Sequence, residues 1–252
     1  LSIEGRLENG RVYLPWIDLD LHGVSGDALI AGAILEGRDV KARYKGTEGE
    51  NGSLRIGLSR ADPVLQLAID ARADLADLPP LLARIVPDPA FRREVAQLQE
   101  FSGTARGTLR LNGTHTDVSV EVQASELDVK ARYEPIPYPL AFQGGRFAYR
   151  SDGVDMHEVD VAIGNSRLSR VDLAIGMDSD RDLHLEGAAP EALVDLAESF
   201  NICRNIPGLE FFRAVEGRVS LRNAQFTGKA LKPETWRFRS EGVIQNLQVD
   251  SE

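Results

Sequence analysis

Along most of the chain, apolar and polar residues trade places at every step. From Val118 the apolar positions are Val118, Val120 and Val122, with Ser119, Glu121 and Gln123 between them, the period of a strand that is wet on one face only. Leu127, Val129, Ala131 and Tyr133 repeat the pattern against Asp128, Lys130 and Arg132. Further alternating runs are Ile17 to Leu21, Leu54 to Leu58, Leu65 to Ala71, Val159 to Ile163, Val171 to Ile175 and Leu183 to Leu185. Asn51-Gly52 and Asn112-Gly113 tolerate positive φ, and each predicts a hairpin turn. Pro135, Pro137 and Pro139 remove donors from one side of an extended segment, which predicts an edge or crossing strand. Counting the runs gives roughly fourteen strands. An open twisted sheet rarely carries more than ~10 without curling or splitting, so the sheet is expected to curve.

The period changes at Asp77. Leu78, Leu81, Leu82, Ile85 and Val86 form a helical stripe with Asp77 placed to cap it, and Pro87 ends it. Asp88-Pro89 opens a second helix, with Phe91, Val95 and Leu98 on its apolar side. These residues (Leu78, Leu81, Leu82, Ile85, Phe91, Val95 and Leu98) are a possible lid over the apolar face, or helices that merely bridge two repeats. Pro190 is expected to open a third helix striped by Leu193, Leu196, Ala197 and Phe200, and a short helical piece is expected after Pro207. The segments Ile3 to Leu7, Phe101 to Ala105 and Val215 to Val219 each place a Gly at the mouth of a strand run. That echo suggests repeats of about 100 residues, approximately 1–74, 75–188 and 189–252, each introduced by helices.

Composition narrows the function classes. The formal net charge is −10, from 39 acidic and 29 basic residues, and no basic cluster offers phosphates the Lys and Arg that a nucleic-acid binder needs. One cysteine, Cys203, excludes an internal disulfide and a multi-cysteine metal site. No run approaches the ~18 apolar residues of a spanning helix. The chain starts at Leu1 and alternates almost at once, so it reads as a piece of a longer protein. Ile3-Glu4-Gly5-Arg6 falls inside that strand pattern and reads as native sequence.

No constellation of catalytic residues stands out. Asp178, Asp180 and Asp182 open like a calcium loop, but Leu183 stands where Gly is required and Ala189 where the bidentate Glu belongs. His22, His115, His157 and His184 are scattered among polar neighbours, and Cys203 has no neighbouring base. Trp236 and Phe238 share a parity and read as repeat core. Neither metal, cofactor nor enzymatic activity is expected.

The stretch from Gly103 to Ile175 contains a strand pair and the proline-rich EPIPYPLAF. A Gly-Gly (Gly144, Gly145) then leads into Phe147 and Tyr149, followed by VDMHEVDVAIGNSRLSRVDLAI. Together with RVYLPWIDLDLHGVSGDALIAGAIL and ETWRFRSEGVIQNLQV, it resembles the AsmA-like family of Gram-negative envelope proteins. The resemblance rests on pattern over most of the chain and not on a short motif. It implies a mainly β fold with a few short α-helices: a long curved antiparallel meander forming an open, taco-like apolar groove, akin to bridge-like lipid-transfer proteins. It also implies a periplasmic location, tethering to the inner membrane through an N-terminal anchor not contained in this stretch, and a part in phospholipid movement and outer-membrane integrity. The partner would be phospholipid or another acyl lipid. The expected groove lining is Val118, Val120, Val122, Leu127, Val129, Tyr133, Val159, Val161, Ile163, Val171, Leu173 and Ile175. The same residues would serve as the core of a closed structural or scaffolding β module, which is the alternative.

Overall fold

A computed structural model describes residues 2–14, 18–59, 63–85, 89–114, 117–150, 152–177, 183–204, 206, 208–229 and 232–251. The chain is mainly β, fourteen antiparallel strands in a meander with a few short helices. The strands are β1 (Ser2–Leu14), β2 (Leu19–Ala31), β3 (Ile34–Tyr44), β4 (Thr47–Gly57), β5 (Val64–Asp74), β6 (Leu98–Thr114), β7 (Val118–Tyr133), β8 (Ile136–Gln143), β9 (Arg146–Arg150), β10 (Gly153–Ile163), β11 (Ser166–Met177), β12 (Leu183–Asp195), β13 (Phe212–Lys229) and β14 (Lys232–Ser251). Each pairs with its sequence neighbours except around β9, which lies off the main path while β8 pairs directly with β10. A 3-10 turn (Leu75–Asp77), α1 (Leu78–Ile85) and α2 (Pro89–Ala96) separate β5 from β6, and α3 (Leu196–Cys203) separates β12 from β13. The chain forms two compact units. Unit 1 comprises Leu1–Ala96, Ser102–Ser125 and Ala148–Ser151; unit 2 comprises Gln97–Phe101, Glu126–Phe147 and Asp152–Glu252.

Most strands are longer than the runs that announce them, because bulges interrupt the alternation. Asp39, Asn51, Glu126, Glu158, Arg170 and Asn223 have φ between 51° and 54°, apart from Arg170 at 49°, and all lie inside strands. A bulge adds one residue to one strand and so moves the inward face to the other parity. In β10 the apolar face is Val154 and Met156 before Glu158, then Val159, Val161 and Ile163 after it. Strand β7 switches in the same way at Glu126, from Val118, Val120 and Val122 to Leu127, Val129 and Tyr133. The two runs that suggest a strand pair are therefore halves of one 16-residue strand.

Several expectations are corrected for related reasons. Asn51-Gly52 is not a turn but the bulge of β4, where Gly52 pairs with Val40. Asn112 and Gly113 still pair with Gln66 and Leu65, so the β6–β7 hairpin turns beyond them, closed by the Thr114 N–H to Asp117 O bond of 2.8 Å. Strand β8 is paired on both sides and is not an edge. Its prolines Pro137 and Pro139 precede Leu140–Gln143, the part that meets β10, so the missing donors deprive no partner in that ladder. Pro190 lies within β12, and the helix begins only at Leu196. Leu98 opens β6 and does not end a helix. After α3 the chain makes hydrogen-bonded turns, with the Leu209 N–H donating to Ile206 O and the Phe212 N–H to Leu209 O, and no helix forms among the described residues there.

Candidate functional site: apolar rows and helical straps

In each unit, cross-strand register lines apolar residues up in rows that run across the strands, exposed members such as Ile3 and Ile30 included. In unit 1 one row reads Ile3, Ile30, Leu35, Ile56, Leu65 over β1 to β5. The next reads Gly5, Ala28, Gly37, Leu54, Leu67, Leu111. In unit 2 a row runs Val129, Phe142, Val161, Leu168, Ala192, Leu221 over six strands. Another runs Met156, Leu173, Gly187, Phe226, Phe238. Sequence pattern alone identified members of these rows but not the rows, which depend on where each bulge resets the parity.

The expected lining residues divide between the units. Val118, Val120 and Val122 belong to unit 1 and are half-buried. In unit 2, Leu127 and Val171 are buried, while Val129, Tyr133, Val161, Ile163, Leu173 and Ile175 stay half-buried. Val159 is 0% exposed, which makes it a packed core residue. Val171, Ala189 and Ala224 form the local core, with Val161, Leu168, Leu173 and Leu221 against them. Trp236 lies edge-on to Phe226, with centroids 5.7 Å apart, and gives its indole N–H to Lys229 O. Phe238, expected as core, is 61% exposed.

The opposite face is charged and paired across strands: Arg6 with Asp27, Arg55 with Glu36, Arg11 with Asp20. A cleft of about 380 Å³ in unit 1 takes in Arg110 and Asn112 but not the intervening Leu111, so it opens on this polar face. A cleft of about 650 Å³ in unit 2 runs past Ala174 and Ala188 between Asp155, His157, Glu186 and Arg237. His157 pairs there with Asp172, which also accepts the Glu158 N–H. Among the described residues no group of three or more His, Cys, Asp or Glu side chains could hold a metal ion. Asp178, Asp180, Asp182 and His115 lie outside the described residues. Burial pushes the Cys203 thiol up, away from the thiolate a nucleophile requires.

At one end of each unit a helix is tied across the strand ends by a matching set of hydrogen bonds. In unit 1 the Asp74 N–H donates to Thr47 Oγ1 (3.1 Å), and the Asp74 carboxylate accepts the Ala76 N–H and caps the 3-10 turn. Asp77, expected to cap α1, instead reaches the β3–β4 turn, where it accepts from Lys45 Nζ (3.0 Å) and the Gly46 N–H (3.4 Å). The Lys45 hydrogen bond holds the Asp77 carboxyl below its usual range against the opposing pull of desolvation, and Asp77 in turn raises the Lys45 ammonium. Farther along, Arg84 gives hydrogen bonds to Tyr44 Oη, Asp18 O and Asp18 Oδ2.

Unit 2 repeats the arrangement. The Asp195 N–H donates to Ser166 Oγ (3.0 Å), and the Asp195 carboxylate caps α3 through the Glu198 N–H. Glu198, only 7% exposed, accepts the Asn165 N–H at the β10–β11 turn, both its oxygens lying 2.9 Å away. Asn201 then reaches Tyr138 Oη on β8 at 2.8 Å. Of the expected lid residues, Leu78, Leu81, Leu82 and Val95 are half-buried, and the side chains of Ile85 and Phe91 lie outside the described residues. The equivalent helix α3 was expected from Leu196, Ala197 and Phe200, but with too early a start and not as a lid. Its signal was Asp195 followed three residues later by Glu198, the same spacing as Asp74 and Asp77. No family model, curated protein or solved structure matches the chain.

Proposed function

We propose that this chain is a non-enzymatic lipid-binding β protein that holds acyl chains against the apolar rows of its sheet. More particularly, we read it as a segment of an AsmA-like envelope protein, in which rows of this kind form an open groove that carries phospholipid between inner and outer membranes. The carrying observation is surface. Large row residues such as Phe142, Val161, Leu168 and Leu221 remain partly in water. Moving a lipid tail of ~16 carbons through water costs on the order of 13 kcal/mol, so a carrier must offer apolar contact along the whole chain. Rows that cross five or six strands supply it, with affinity spread over many side chains. The matching straps at Asp74–Asp77 and Asp195–Glu198, about 120 residues apart, support a repeat somewhat longer than the pattern of glycines suggests.

The test is native mass spectrometry of gently purified protein, with co-purified phospholipid as the expected result. Val161→Asp places a charge in the middle of a unit 2 row. Loss of bound lipid from a protein that still shows a cooperative melt supports the reading. A lipid-free wild-type protein defeats it and leaves a scaffolding β module.

A further inference from the structure

We infer that the helices after β5 and after β12 are detachable straps, and that the carboxylates Asp77 and Glu198 are the clasps that hold them shut. Each strap starts at the end of one strand, crosses the tip of a neighbouring hairpin and is fastened again beyond it. In unit 2 the start is Asp195 on β12, the clasp is Glu198 on the β10–β11 turn, and the far tie is Asn201 on β8. In unit 1 the start is Asp74 on β5, the clasp is Asp77 on the β3–β4 turn, and the far tie is Arg84 on Tyr44 and Asp18. The same three-point layout, built twice from different residues, marks the fastening as a working part and not a local accident of capping.

An eight-residue helix has little stability of its own, since isolated helices shorter than ~12–15 residues are marginal in water. The strap is therefore helical only while it is fastened, and unfastening is a local opening that leaves the sheet ladders intact. Glu198 also dictates the turn beneath it: a Cβ on Gly164 would sit 2.2 Å from Glu198 Oε1. Phe200 and Leu75, 8% and 6% exposed, are the apolar residues that an open strap bares. On the lipid-binding reading, on which this part rests, the opened strap is a side entrance through which an acyl chain reaches the rows from the strand ends.

The experiment is hydrogen exchange on the full chain, comparing wild type with Glu198→Ala and with the milder Tyr138→Phe. Amides of α3 and of Asn165 should exchange at least tenfold faster in Glu198→Ala and a few-fold faster in Tyr138→Phe, with ladder amides such as Val161 and Leu173 unchanged. Unchanged α3 exchange, or acceleration of the whole sheet together with α3, overturns the strap. Uptake of a fluorescent phospholipid from phosphatidylcholine vesicles should be faster in Glu198→Ala at unchanged capacity. An equal uptake rate despite a released α3 overturns its role as an entrance. Wild-type protein that takes up no phospholipid removes the lipid reading, while the exchange measurement still decides the strap.

Discussion

The clasp of unit 1 is partly open to water, Asp77 keeping 22% of its side chain exposed, and the clasp of unit 2 is closed off. Asp77 is paired with Lys45, whose side chain is 53% exposed, and the turn beneath it contributes a single backbone N–H at 3.4 Å. Glu198 is enclosed and has no cation beside it among the described residues; the Asn165 N–H and the Ser166 hydroxyl face it instead. What the two units share is position: an acidic residue three places after the aspartate that ends a strand, aimed at a hairpin turn whose first facing residue is Thr47 or Ser166. The comparison teaches that geometry is the shared element, and that local exposure decides whether it is secured by ion pairing or by dry hydrogen bonds.

The largest break in this symmetry should come from Glu198→Ala. It takes the acceptor from the part-buried Asn165 N–H and from the buried Ser166 hydroxyl, which costs about 1–3 kcal/mol, measurable as a lower denaturation midpoint. Gly164→Ala should cost somewhat less, about 1–2 kcal/mol, since Gly164 has φ 56° and an L side chain is strained there. Gly46→Ala in unit 1, where the backbone carries no such strain, should shift the midpoint less than Gly164→Ala; the reverse order would undo the correspondence between the turns. Asp77→Asn should have the smallest effect, and only at low salt, because at 1 M the screening length falls to about 3 Å. Its pH dependence has a fixed sign. With the folded carboxyl depressed, the stabilisation from Asp77 is present above the ordinary aspartate range and lost as pH falls through the depressed value. Melting curves of wild type and Asp77→Asn should therefore converge in acid.

The strands were legible because half-wet sheet writes its period directly into the chain, as Val159, Val161 and Ile163 do. Their lengths were not. Asn51-Gly52 carries residues that tolerate positive φ, and both a hairpin turn and a bulge ask for those residues. Only the presence of a partner strand on both sides of the kink distinguishes the two. Glu126, Glu158 and Arg170 adopt the same conformation with side chains that give no local hint. The helices of the straps were legible, α1 from Leu78, Leu81 and Leu82 and α3 from Leu196, Ala197 and Phe200, but Pro190 suggested too early a start for α3, because it stays in the strand. That Asp77 reaches across to Gly46, 31 positions earlier, is a fact of tertiary placement that no local pattern encodes.

The bulges also govern how this chain tolerates change in length. Each strand that contains one is read in two frames, and Glu158 is the punctuation between Met156 and Val159. Exchanging that residue for another alters a side chain that points to water, and deleting it would leave Met156, His157 and Val159 in plain alternation, opposite Leu173 to Val171, with Val159, Val161 and Ile163 still on their own face; deleting Asp160 instead would turn Val161 and Ile163 over as a block. Loss of a single codon should be cheap at the bulge and ruinous two positions beyond it.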